Sequence, residues 1–199
     1  MTIWGLSVGA RRQQGNRMNN YLQLPIGAHA PERVNVVVEI PEGSVNKYEY
    51  DKNLHVFRLD RRLYSPVHYP GDYGFVPSTL AADGDPLDVL VLVHDPSFTG
   101  CLLEVRPVGV LEMTDQGKRD EKILAVASTN PRHRAVVNYT DVYPHLLEEI
   151  THFFSIYKDL EKKRTKMVGW HDVQQAHRII NESHERYLQT LKGFKGAAR

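Results

Sequence analysis

An α+β domain, in which a small closed barrel of short strands precedes packed helices, is the fold class the sequence predicts. Short strand candidates, the first with apolar residues at period two, occupy the chain up to residue 127, and apolar residues recur at helical spacing in the last third. Strands first and helices last is the order expected of an α+β domain. Five or six short strand candidates, joined by turns of uneven length, favour closure into a barrel over a flat sheet.

Val34, Val36, Val38 and Ile40 alternate with Asn35, Val37 and Glu39, a period-two strand that Pro41 to Ser44 ends as a turn. Lys47 and Glu49 then alternate with Tyr48 and Tyr50, which puts Lys47 and Glu49 on one face of a second strand. A turn at Asp51 to Asn53 leads into a third strand over 55–60. Further strands are expected over 88–93, 103–110 and 122–127, between Pro and Gly punctuation. The period then changes. Leu146, Leu147, Ile150, Phe153, Phe154 and Tyr157 share one helical face, with Pro144 suited to the first turn. A second helix is expected from Asp172, which has capping-box spacing to Gln175, and runs through Ile179, Ile180 and Tyr187.

The 199 residues fit one domain, expected over 18–199 with its elements between Val34 and Leu191. Residues 1–17 read as a disordered extension, with Met18 as an alternative start. Their arginines follow the short apolar stretch, whereas a secretory signal places its charge before it. Apolar residues at 41% and charged residues at 25% are ordinary globular values, and a net charge of +1 gives no reason to expect nucleic acid or a membrane as partner. No apolar run approaches the length of a membrane helix. The single cysteine, Cys101, excludes an intrachain disulfide and suits the cytoplasm. The ten histidines form no HExxH, and neither a P-loop nor a GxGxxG is present, so zinc and common nucleotide chemistries lack support.

Asp83-Gly84-Asp85-Pro86-Leu87-Asp88 is the most informative segment, with three carboxylates just before an apolar strand. Two such charges about 4 Å apart repel by roughly 4 kcal/mol at an effective dielectric near 20. A fold that gathers them needs a proton or a cation between them, and oxygen ligands select Mg²⁺, Mn²⁺ or Ca²⁺. A solvated acidic turn is the plainer reading of these six residues. An EF-hand loop fits less well, because a strand follows at once. Asp115 and Asp120, with Glu121, add a second acidic group in what reads as a surface hairpin. Two acidic loops at the ends of neighbouring strands could hold two cations close together, the arrangement that stabilises attacking and leaving oxygens in phosphoryl displacement.

Phosphate chemistry also calls for cationic side chains, and Lys47, Arg61, Lys122 and Lys158 each stand beside an acid, a tyrosine or a strand end. Tyr69 to Phe75 reads as a rigid aromatic loop that presents the phenols of Tyr69 and Tyr73. Tyr157 and Lys158 end the first helix where its apolar stripe meets solvent. Lys162 to Lys166 reads as a solvated basic run after that helix.

With these pieces in order, the chain resembles the family I soluble inorganic pyrophosphatases, of the short, prokaryotic type. The signature is Asp83-Gly84-Asp85-Pro86-Leu87-Asp88-Val89, which fits the family's D-x-D-P-x-D core. Around it stand Glu39-Ile40-Pro41, Lys47-Tyr48-Glu49, Asp60-Arg61, Tyr69 to Phe75, Arg106 to Gly109, Met113-Thr114-Asp115, Asp120 to Lys122, and His152-Phe153-Phe154 with Tyr157-Lys158. The resemblance covers residues 34 to 190. It implies an OB-like five-stranded β-barrel with packed C-terminal helices, and hydrolysis of pyrophosphate to two orthophosphates by a metal-activated water. It also implies several Mg²⁺ ions per site, with Mn²⁺ as a possible substitute, and a homo-oligomer, hexameric in prokaryotes.

The resemblance further implies that Asp83, Asp88, Asp115 and Asp120 hold metal directly, Asp88 and Asp120 between ions, while Glu39 and Glu49 hold further metal through water. Asp85 matches the general base. Lys47, Arg61, Tyr73, Lys122, Tyr157 and Lys158 match phosphate-binding groups, with Tyr69 as a supporting substrate-side residue. Asp72 is an additional acid beside Tyr73 with no place in that scheme. Two rival functions remain in view: a noncatalytic OB-type module that binds RNA or single strands through Lys162 to Lys166 and surface tyrosines, and a metal-dependent hydrolase of larger phosphate esters.

Overall fold

The computed structural model describes residues 20–196. The expected extension over 1–17 and the alternative start at Met18 lie outside the described residues. The strands are Val34–Ile40 (β1), Asn46–Asp51 (β2), Val56–Arg62 (β3), Asp72–Val76 (β4), Leu87–Leu92 (β5), Leu102–Asp115 (β6), Lys118–Arg119 (β7), Lys122–Ala127 (β8) and Thr165–His171 (β9). The helices are Pro144–Ile156 (α1) and Val173–Gly196 (α2).

Five strands close a ring. β1 pairs antiparallel with β4, β4 with β5, β5 runs parallel to β8, β8 pairs with β6, and β6 returns to β1. Closure leaves no unpaired edge within the ring. β6 is long enough to carry β7 and β9 as well, while β2 and β3 form a separate hairpin. The architecture is the expected OB-like α+β fold, but its strands differ from the sequence reading in two places.

The strands expected over 47–50 and 55–60 stand outside the ring as the β2–β3 hairpin. Their place is taken by β4, which the sequence presents as part of an aromatic loop. All five residues of β4 are buried, so no polar alternation marks it, and Pro70, Gly71 and Pro77 frame it like a loop. The second difference is β9. Lys166, the end of the expected solvated basic run, lies in a strand paired with β6, opposite Thr114.

Period-two alternation sorts the ring's side chains between two cores. Leu90, Leu92, Leu124 and Val126 pack with Ile150, Phe153 and Phe154 of α1. Val89, Val91, Ile123 and Ala125 pack with Ala176, Ile179 and Ile180 of α2. β5 and β8 are therefore apolar on both faces, as their continuous apolar runs require. Pro144 opens α1. At the start of α2, the Asp172 carboxylate accepts the Gln175 backbone N–H at 2.9 Å. The Gln175 side-chain amide also donates to Glu112 on β6 at 2.9 Å, which ties the start of α2 to the sheet. Among the described residues no helix is long and apolar enough to cross a membrane.

Candidate active site

Strand pairing and local irregularity bring the acids to one end of the ring. Asp88 and Lys122 are register partners at the starts of the parallel strands β5 and β8. β6 and β7 are joined by the two-residue turn Gln116-Gly117, where both residues have positive φ, as a type I′ hairpin requires. That turn folds Asp115 and Asp120 back to the same end of the ring. Glu39 falls where the pairing of β1 with β4 slips between Val38 and Ile40, and the bulge aims its carboxylate into the cleft. In the Asp83 to Asp88 loop, Gly84 adopts φ +97°, and Asp83 accepts the Asp85 backbone N–H at 3.0 Å.

The result is a cleft of about 300 Å³. Every site residue expected from the sequence lines it except Arg61. Arg61 sits opposite Lys47 in the β2–β3 register, with its guanidinium committed to Asp60 and, at 2.8 Å, to Glu161. Tyr69, Tyr73, Phe154 and Tyr157 form a packed aromatic wall, with Tyr69 and Tyr73 ring centroids 5.4 Å apart. Asp72 lies outside the cleft. Its fully buried carboxylate accepts backbone N–H groups of Glu42 at 2.9 Å and Ser97 at 3.0 Å, so it ties two loops together.

Charge is unevenly distributed in the cleft. Seven carboxylates line it (Glu39, Glu49, Asp83, Asp85, Asp88, Asp115, Asp120) against four lysines (Lys47, Lys52, Lys122, Lys158). Lys122, only 3% exposed, bonds to Asp88 Oδ2 at 2.5 Å and also to Asp120. Its burial opposes the ammonium form, but Asp88 and Asp120 outweigh that and hold its pKa above the ordinary lysine value. Asp120 is raised as well, by burial first, with Asp88 adding to it against the pull of Lys122. The two shifts share one contributor, the Asp88 carboxylate, which favours the protonated form of both groups. Lys158 bonds to Asp115 Oδ2 at 2.5 Å, and burial is again outweighed, by Tyr157 and Asp115, so its pKa is raised. Glu39, enclosed except where it faces the cleft, is pushed up to about 8 by burial and Asp88, although it accepts the Tyr50 N–H at 2.7 Å.

These features fit a hard divalent cation. The acidic groups lining the cleft are all carboxylates, and neither histidine nor cysteine takes part. Asp115 Oδ1 is buried without a hydrogen-bond partner, an oxygen left open for a cation. Among the described residues no three acids close on a single point, because Lys122 and Lys158 stand between them.

The sequence reading missed Lys52, whose ammonium reaches Asp85 Oδ1 at 2.6 Å from the β2–β3 turn. No motif marks this lysine, and only the fold of the hairpin over the cleft could reveal it. Phe154 and Tyr50 also line the cleft. Phe154 was legible as part of the α1 stripe, but its place at the cleft was not.

The OB-like barrel has a cleft lined by seven carboxylates, four lysines and an aromatic wall, a lining that fits the metal-dependent hydrolases of phosphate compounds. The family model described as inorganic pyrophosphatase matches residues 36–188, and the chain belongs to that family. An inorganic pyrophosphatase of Nostoc sp. is 54% identical over 157 residues, spanning 79% of this chain and 93% of its own. That of the archaeon Methanosarcina mazei is 51% identical over the same shares. Among solved structures, the inorganic pyrophosphatase of Thermus thermophilus superposes with a TM-score of 0.83 at 45% identity, over 85% of this chain and 99% of that one.

Proposed function

We propose that the protein is a cytoplasmic inorganic pyrophosphatase that hydrolyses pyrophosphate to two orthophosphates, with several Mg²⁺ ions per site and Mn²⁺ as a substitute. The observation that carries this reading is the meeting of the expected acids, lysines and tyrosines, Arg61 alone excepted, in one cleft of the pyrophosphatase fold. When bound, divalent ions neutralise the phosphate charge and acidify water. The residues to hold them directly are Asp83, Asp88, Asp115 and Asp120, with Glu39 and Glu49 acting through water.

The chain's own groups then position and move protons. Asp85, 66% exposed beside the cleft, accepts the proton of the attacking water as a new P–O bond forms. The bridging oxygen leaves with the second phosphate on the opposite side of that phosphorus. Lys47, Lys122 and Lys158 hold phosphate oxygens, and Arg61 is placed beside Lys47 to extend that grip. Tyr73 and Tyr157, both kept protonated by burial, donate from the aromatic wall, and Tyr69 packs behind them. The acid excess disfavours the nucleic-acid module, since an acid-lined cleft repels a phosphate backbone.

Phosphate release from pyrophosphate, ATP and a phosphomonoester, measured with Mg²⁺, tests the substrate. Pyrophosphate is expected to turn over at least about a hundredfold faster than either ester. Comparable rates on all three would transfer the cleft to larger phosphate compounds. A homo-oligomer, a hexamer by resemblance, belongs to the same reading. Light scattering that returned the mass of one chain would remove it.

A further inference from the structure

Two of the four cleft lysines bind acids of their own or a paired strand, and a third, Lys158, reaches from just past α1 to the end of β6. Lys47 pairs with Glu49 and Asp60 within the β2–β3 hairpin, Lys122 with Asp88 and Asp120, and Lys158 with Asp115. Lys52 differs. It leaves the β2–β3 turn and meets Asp85 in the loop before β5, an element with which the hairpin shares no sheet. Both residues line the cleft, so the contact ties the hairpin to the loop before β5 within that lining.

The pair is also solvated, with side-chain exposures of 50% for Lys52 and 66% for Asp85. An ion pair so exposed adds little to folding stability. Its geometry matters more. The backbone around Asp85 is held, since its N–H bonds to Asp83 and its carbonyl accepts the Ala81 N–H at 2.7 Å. The carboxylate itself projects from an exposed loop, and Lys52 Nζ is the donor that fixes Oδ1. A carboxylate in that setting has rotamer freedom that must be removed before it can meet a reacting water in one geometry.

We propose that Lys52 is a positioning residue for the hydrolysis, holding the Asp85 carboxylate in the cleft lining from the β2–β3 hairpin. This inference rests on the role given to Asp85 in the proposed function. Lys52 touches neither the reacting phosphorus nor the water. It selects the carboxylate orientation from which Asp85 takes the proton, with Oδ1 held by Lys52 and Oδ2 as the accepting oxygen.

Steady-state and single-turnover kinetics of Lys52→Ala, Lys52→Arg, Asp85→Asn and the Lys52→Ala/Asp85→Asn double variant test it, with Lys192→Ala as a remote charge control. Lys52→Ala is expected to lower kcat about tenfold, against the roughly hundredfold cost of misplacing a reacting group by 1 Å. KM should change less than about threefold, Tm should not move, and Lys52→Arg should recover most of the rate. In the Asp85→Asn background, Lys52→Ala should cost less than about twofold more, because the group it positions is gone. Independent, multiplying losses in the double variant would overturn the inference. So would a raised KM at unchanged kcat, which would make Lys52 a substrate grip, or a Lys52→Ala enzyme as fast as wild type. A wild-type protein that releases no phosphate from pyrophosphate defeats the functional reading itself, whereas these other outcomes defeat only the role of Lys52.

Discussion

At Glu39 the bulge that takes the residue out of register with β4 also takes its carboxylate out of bulk water. Burial raises its pKa first, Asp88 adds to the shift, and the Tyr50 N–H opposes it, leaving a value of about 8 against an ordinary 4.5. The sign follows by linkage. Between about pH 4.5 and 8 the folded state holds a proton that the unfolded state has lost, so this group's stabilising contribution is full below 4.5 and declines toward pH 8. Metal-free protein carrying Glu39→Gln, whose amide oxygen can still accept the Tyr50 N–H, should lose that decline. Denaturant titrations at pH 5 and pH 8 should show the variant gaining on wild type by a few kcal/mol at the higher pH. An unchanged difference between the two pH values would mean that Glu39 is already ionised. The residue itself was legible in the Glu-Ile-Pro motif, but its burial was not, because a bulge is a property of two strands and the chain shows only one.

Among the elements, those with strong local signals were legible and those defined by their neighbours were not. α1, α2, β1 and β8 follow from apolar period and capping residues, and their observed limits lie within a few positions of expectation. β4 is defined by contact. Its centre, Gly74, lies so close to β1 that a Cβ there would fall 2.0 Å from the Val37 carbonyl oxygen. The glycine that weakens the strand signal is the one that lets the ring close. Gly74→Ala should therefore cost more than the usual 1–3 kcal/mol of overpacking, because backbone rather than a flexible side chain must give way. Urea unfolding measures the loss; a change under about 1 kcal/mol would mean that β1 and β4 can separate without harm. β9 escaped notice for a related reason. Its basic residues face solvent on a strand whose pairing with β6 can be seen only in the fold.

On the scale of the molecule, the cleft draws on β1, the β2–β3 hairpin, the loop before β5, the β6–β7 hairpin, β8 and the end of α1. The chemical identity of its lining was legible from the ordered set of acids, lysines and tyrosines around Asp83 to Asp88, and not from that segment alone, which also reads as a solvated turn. The parallel pairing of β5 with β8 was not, and it is this pairing that sets Lys122 against Asp88 and leaves the acid cluster partly neutralised. Asp72, unassigned in the sequence, became a structural tie once its loops were placed. The hairpin that carries Lys47 and Glu49 stands outside the ring, so that one wall of the site belongs to a separate two-stranded sheet.

The chemistry proposed for this cleft is hydrolysis of pyrophosphate by way of divalent cations and Asp85. It is tested most directly by phosphate release from pyrophosphate, measured for wild type and Asp85→Asn, with Mg²⁺ and then with excess chelator. Wild type should release phosphate rapidly with Mg²⁺ and lose that activity on chelation, and Asp85→Asn should fall by about 10²–10⁴ in kcat at unchanged fold. Undiminished turnover in chelator, or in a folded and metal-loaded Asp85→Asn, would contradict it.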